Sequence, residues 1–275
     1  MVSGCEGRIL RSNFTHKSVV IKILKLLLVL HLQWQLFTWI HVGSSTTQPE
    51  AVTNALYINL KHRLDRRESI ESTLSKIGAK FLRIEAIELA GSDVLKRCWD
   101  GGSAKCAGQL GCQASHLLAL RYAQRMGWDE VAIFEDDFVL KPEIDPALVQ
   151  PAIRNIKEKV PDWDVIALSL NIQKQTFVQD FKNEPFRVGD NTTVQLMRVV
   201  KALTTHGYMI KSHMIPILMK SFSECDVAGD LWVAIDTCWQ PLQLQHKWYA
   251  LYPQLGTQAD SFSDIEQQNV SYHIS

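Results

Sequence analysis

The sequence predicts an α/β fold with a mostly parallel sheet flanked by helices, and three observations carry that prediction. Short apolar runs alternate with stretches whose apolar residues recur at helical spacing. One such run, Val131 to Phe134, leads directly into Glu135-Asp136-Asp137. That puts charge at the carboxyl end of a strand, where open α/β sheets bind ligands. The composition is ordinary for a globular chain, with 46% hydrophobic and 21% charged residues among 275.

The elements follow in order. Ala55 to Leu60 reads as a buried strand and Lys61 to Arg67 as a charged loop. Glu68 to Gly78 reads as an amphipathic helix with Ile70, Leu74 and Ile77 inward, closed by Gly78. Lys80 to Ile87 is a second strand, and Gly91 to Ala107 a loop rich in Gly, Ser, Lys and Cys. Gln109 to Met126 is a helix with Leu117, Leu118 and Leu120 on its apolar side, and Glu130 to Phe134 a third strand. Pro146 to Val160 reads as helix and Trp163 to Leu170 as strand. Val194 to Lys201 and Gly207 to Lys211 read as two strands, Ser212 to Phe222 and Leu231 to Gln240 as helices, and Trp248 to Tyr252 as a late strand.

Lys plus Arg and Asp plus Glu number 29 each, so the chain is formally neutral and lacks the basic footprint of a nucleic-acid binder. The neutrality hides an asymmetry: residues 1–42 carry +4 and the remaining 233 carry −4. Residues 1–18 read as a basic cytoplasmic tail, 19–42 as a signal anchor or signal peptide, 43–53 as a stem and 54–275 as one catalytic-sized domain. This order predicts a type II single-pass protein attached to the membrane, with the domain in the ER or Golgi lumen. The alternative is secretion after cleavage near Val42-Gly43-Ser44. Cys98 with Cys106 and Cys225 with Cys238 are candidate disulfides in an oxidising compartment. Asn191 and Asn269 open glycosylation triplets. No set of cysteines shows the four-ligand spacing of a zinc site.

Three adjacent carboxylates after an apolar strand repel one another, and a hard cation such as Mn²⁺ or Mg²⁺ would relieve them. A divalent ion there would also neutralise a diphosphate leaving group. Lys61, Arg63, Arg66 and Arg67 follow the first strand and suit phosphate. Both groups follow strands, so both can face one cleft. Cys112 and His116 are four apart and share a helix face, which suits a buried, hydrogen-bonded histidine more readily than a metal or nucleophile pair. The sequence has no serine nucleophile elbow, Walker loop, dinucleotide glycine fingerprint or His-Glu-x-x-His helix.

Six segments in order resemble glycosyltransferase family 25. They are Tyr57-Ile58-Asn59-Leu60 with Arg63 and Asp65-Arg66, Gly111-Cys112-x-x-Ser115-His116, Phe134-Glu135-Asp136-Asp137, Thr205-x-Gly207-Tyr208-x-Ile210, Ile235-Asp236, and Tyr252-Pro253 with Ser263-Asp264. The resemblance implies a glycosyltransferase-A type nucleotide-sugar-binding fold, a UDP-sugar donor (usually UDP-galactose), Mn²⁺ and inversion at the anomeric carbon. It implies a glycan or protein hydroxyl as acceptor. Donor contacts are expected from Asn59, Arg63, Arg66, His116 and Asp136, metal ligation from Glu135 and Asp137, and general-base action from Asp236, with Asp260 and Asp264 as rivals. Phe138 departs from the aliphatic residue common after the triplet. The alternative function is a non-catalytic lumenal or adhesion protein on the same fold.

Overall fold

The computed structural model describes residues 51–89, 104–178, 186–225 and 234–270. Strand β1 (Ala55–Asn59) is buried at all five positions, as its apolar run requires. Helix α1 (Leu64–Lys76) returns the chain to β2 (Phe81–Glu85), which lies parallel to β1 with Ala55 opposite Phe81. The helix begins inside the stretch expected to be loop, so Arg66 and Arg67 are helical. Ile70, Leu74 and Ile77 are buried as expected, and Gly78, at φ 70°, takes the left-handed turn that ends the helix. Helix α2 (Ala104–Met126) leads to β3 (Glu130–Glu135), parallel to β1 on its other side. In α2 it is Ala119, Leu120 and Ala123 that are fully buried, whereas Leu118 faces outward.

Beyond β3 come β4 (Phe138–Leu140), α3 (Pro146–Lys159), β5 (Val165–Phe177), β6 (Phe186–Arg187) and β7 (Thr193–Lys211). Helices α4 (Met214–Ser223), α5 (Ile235–Cys238) and α6 (Gln240–Gln245) precede β8 (Trp248–Tyr252). The chain then forms β9 (Gly256–Gln258), which pairs with β4, and the hairpin β10 (Ser261–Ser263) with β11 (Gln268–Val270). The main sheet runs β2-β1-β3-β7-β5-β8. Along this path β7 alone runs against the others, so the sheet is mostly parallel in strand direction. No described helix lies between β5 and β7, and a connection without a crossover returns antiparallel. The two strands expected over 194–211 are one long strand. The helix expected over 231–240 appears as α5 and α6, with residues 231–233 outside the described set.

Each face of the sheet carries its own core. Ile70 and Leu74 from α1 and Val149, Ile153 and Ile156 from α3 cover one face. Leu120 from α2, Leu218 and Phe222 from α4, Trp239 and Trp248 cover the other. Burying either set leaves the strands' carboxyl ends as the open rim of the sheet. Cys225 and Cys238 form the expected disulfide, with Cα atoms 5.7 Å apart. Cys106 is disulfide-bonded, and its expected partner Cys98 lies outside the described residues.

The expectation of a membrane anchor is corrected. The segment 19–42 that carried it lies outside the described residues, and no helix among the described residues is long and apolar enough to cross a membrane. The type II topology, the membrane attachment and the ER/Golgi placement built on that segment are withdrawn. Ala51 and Val52, at the end of the expected stem, are buried, and both their N–H groups donate to Gln150 Oε1, at 2.7 and 2.8 Å.

Candidate active site

A cleft of about 640 Å³ opens at the carboxyl ends of β1, β2 and β3. Asn59, Arg66, His116, Glu135, Asp136, Asp137 and Asp236 all line it. The expected cluster is therefore brought together from β1, α1, α2, β3 and α5. Arg63 does not line the cleft. Its guanidinium grips both oxygens of Asp65, at 3.1 and 3.0 Å, and reaches Asp264, which does line the cleft.

Local geometry explains the cleft's shape. A Cβ on Gly111 would stand 2.5 Å from the carbonyl oxygen of Ile87, so only glycine lets α2 approach the end of β2 this closely. Ser115 Oγ accepts from the Ile87 N–H at 2.8 Å and donates to Gly111 O at 2.6 Å. Together they fix the wall made by Ala86 to Leu89.

Glu135 has its own partners while Asp136 and Asp137 share Arg66, and this is how the three carboxylates coexist at a strand end. Glu135 Oε1 accepts from Thr205 Oγ1 at 2.6 Å and lies 3.3 Å from His116 Nε2. Burial opposes its charge, but His116 and the Thr205 hydroxyl outweigh it and hold the carboxyl below the usual range. Asp136 accepts from Asn59 Nδ2 at 2.8 Å and Arg66 Nη1 at 2.9 Å, and burial still pushes it up. Asp137 Oδ2 accepts from Gln258 Nε2 at 2.9 Å, with Arg66 Nη1 at 3.4 Å. Asp137 Oδ1 is buried and has no partner. Burial first, then the charge on Glu135, pushes the Asp137 carboxyl well up.

That unpartnered oxygen bears on the expected cation. A buried carboxylate oxygen without a donor carries a desolvation cost that a bound cation would remove. Oxygen donors of this kind suit a hard divalent ion, so the residues present fit one. Among the described residues one further group could ligate a metal: Cys112, His116 and Glu135, whose ligand atoms all lie within 4.8 Å of one another.

Asp236 lies in the first turn of α5, a helix of four residues. Its Oδ2 accepts from the backbone N–H of Thr204 at 2.9 Å. Thr204 has φ 64°, a strained conformation for a β-branched residue, so the carboxylate also supports a kink in β7. Burial, then the charge on Glu135, pushes Asp236 up. Of the rivals, Asp264 is engaged by Arg63, and Asp260 is exposed and does not line the cleft.

Several contributors escaped sequence reading. Thr205 and Gln258 hold the acidic group, Arg83 holds Asn59 Oδ1 at 3.0 Å, and Tyr208 OH holds His116 Nδ1 at 2.9 Å. Thr205 and Tyr208 sit in a motif that was visible. Nothing local marks Gln258 or Arg83.

A family model described as Glycosyltransferase family 25 (LPS biosynthesis protein) matches residues 52–239. No curated protein matches the chain in sequence. Among solved structures, the chain is similar to a glycosyltransferase involved in the glycosylation of the major capsid of PBCV-1, at 11% identity and TM-score 0.45, covering 78% of this chain and 96% of that one. UDP-glucose pyrophosphorylase complexed with UDP-glucose is similar at 8% identity and TM-score 0.42, covering 78% and 97%.

Proposed function

That the chain belongs to glycosyltransferase family 25 makes it a glycosyltransferase, and from this we propose that it moves a sugar, galactose in the first place, from a UDP-sugar to a hydroxyl of a glycan or protein acceptor with inversion. The observation that carries the metal-dependent reading is Asp137 Oδ1, the buried oxygen left without a partner in an otherwise satisfied acidic group. Asp137 with Glu135 would hold a divalent ion, which would supply positive charge for the leaving diphosphate. Arg66, already at the cleft wall, donates to the phosphates. Asn59 orients Asp136 and with it the donor side of the cleft. His116 fixes Glu135. Asp236 takes the acceptor hydroxyl proton on its Oδ1, because Oδ2 is engaged by Thr204.

The test is release of UDP by the purified full chain from UDP-galactose, UDP-glucose and UDP-N-acetylglucosamine, with and without Mn²⁺. Metal-dependent release, fastest from UDP-galactose, supports the reading. Release unaffected by chelation, or none from any UDP-sugar, overturns it.

A further inference from the structure

One set of cleft residues, which includes Glu135 of the acidic triplet, offers a second chemistry. Cys112 and His116 stand one helical turn apart on α2, and the fold brings Glu135 from β3 against them. His116 Nε2 is 3.3 Å from Glu135 Oε1, while Nδ1 is held by Tyr208 OH at 2.9 Å. A ligating histidine commonly has its second ring nitrogen held in this way, which fixes the ring. Cys112 is a free thiol, and all three residues line the cleft. An ion can therefore enter, and a fourth position would face the cavity.

We propose that Cys112, His116 and Glu135 form a second, soft cation site that takes Zn²⁺. Thiolate, imidazole and carboxylate are zinc donors, whereas Mn²⁺ and Mg²⁺ prefer oxygen alone. Three protein ligands with one open position is the pattern of an accessible zinc site rather than a closed structural one. On binding, the Cys112 S–H bond breaks, its proton goes to solvent, and Sγ bonds to the ion, with no change in oxidation state. Because the site shares Glu135 with the acidic triplet, Zn²⁺ there competes with a hard ion for that carboxylate and inhibits. The site stands on its own ligands and does not depend on the sugar transferred.

The test uses the full chain, with Zn²⁺ in calorimetry and Co²⁺ as a spectroscopic probe. The expected result is a near-ultraviolet thiolate-to-cobalt charge-transfer band. Cys112→Ser and Cys112→Ala, each checked for folding by circular dichroism, abolish the band. They weaken Zn²⁺ binding by at least about 100-fold, the upper end for loss of a mere supporting partner. Asp137→Asn keeps the band, which separates this site from the hard-ion site. A wild-type protein with no such band overturns the proposal. So does a folded Cys112 variant that binds Zn²⁺ as tightly as wild type, or a band lost on Asp137→Asn.

Discussion

Arg66 holds two carboxylates at once, its Nη1 standing 2.9 Å from Asp136 Oδ1 and 3.4 Å from Asp137 Oδ2. Its Nη2 donates to Ser261 Oγ at 2.7 Å and to the carbonyl oxygen of Phe262 at 2.8 Å. One guanidinium thus joins β3 to the C-terminal hairpin and offsets part of the acidic charge. Arg66 lines the cleft, so on the proposed function a donor diphosphate would meet that same guanidinium. Arg66→Ala is therefore expected to raise the KM for donor by roughly 10- to 150-fold, the equivalent of about 1.5–3 kcal/mol for a charge-assisted bond. Arg63→Ala should raise it far less, since Arg63 does not line the cleft. Steady-state kinetics on both variants checks the order; equal effects would return Arg63 to the donor site.

Asp236 has a structural and a chemical candidate role, and one substitution separates them. Asp236→Asn keeps a side-chain oxygen for the Thr204 N–H but cannot take a proton. Donor affinity and melting temperature should stay near wild type while kcat falls by roughly 100-fold or more, the usual contribution of a general base. Near-normal kcat would leave Asp236 as support for the kink and move the base to Asp264.

Much of this architecture was legible because it rests on local pattern. β1, β3 and β8 are apolar runs, and Ile70, Leu74 and Ile77 mark one face of α1. What escaped depended on contacts across the chain. The helical state of Arg66 was hidden by a start with no side-chain cap and with Leu64 facing solvent. β7 read as two strands because polar residues and the kink at Thr204 interrupt its pattern. The acidic triplet was visible at its strand end, but its partners come from residues 59, 66, 116, 205 and 258, which no spacing links. The pairing of Cys112 with His116 was visible, and its third member Glu135 was not, for the same reason.

His206 gives a pH dependence with a definite sign. It is buried, and burial pushes its pKa down from 6.5 to about 4. Below pH 6.5 the unfolded chain binds a proton that the folded chain refuses until about 4. Stability is therefore full above 6.5 and lost as pH falls from 6.5 to 4, by about 3 kcal/mol from this residue. Urea unfolding across that range should show a smaller loss for His206→Gln than for wild type. Parallel curves would mean His206 takes up its proton in the folded state.

Phe138 is accommodated by two glycines. A Cβ on Gly256 would stand 2.2 Å from its Cε2, and one on Gly207 2.9 Å from its Cδ2. Gly256→Ala should destabilise the domain by about 1–3 kcal/mol through overpacking. In a Phe138→Leu background the same change should cost clearly less. A double-mutant cycle by chemical denaturation measures the coupling; additive effects would show that the ring is not what excludes a side chain at position 256.

The central claim is that the buried, unpartnered oxygen of Asp137 is there to hold a divalent cation for a nucleotide-sugar. The most direct measurement is calorimetry of UDP binding to wild type and Asp137→Asn, each with and without Mn²⁺, alongside circular dichroism to show that both are folded. Wild type should bind UDP tightly only with Mn²⁺, and a folded Asp137→Asn should lose the metal-dependent part. Equal Mn²⁺-dependent binding by the two proteins would contradict the claim and place the cation elsewhere.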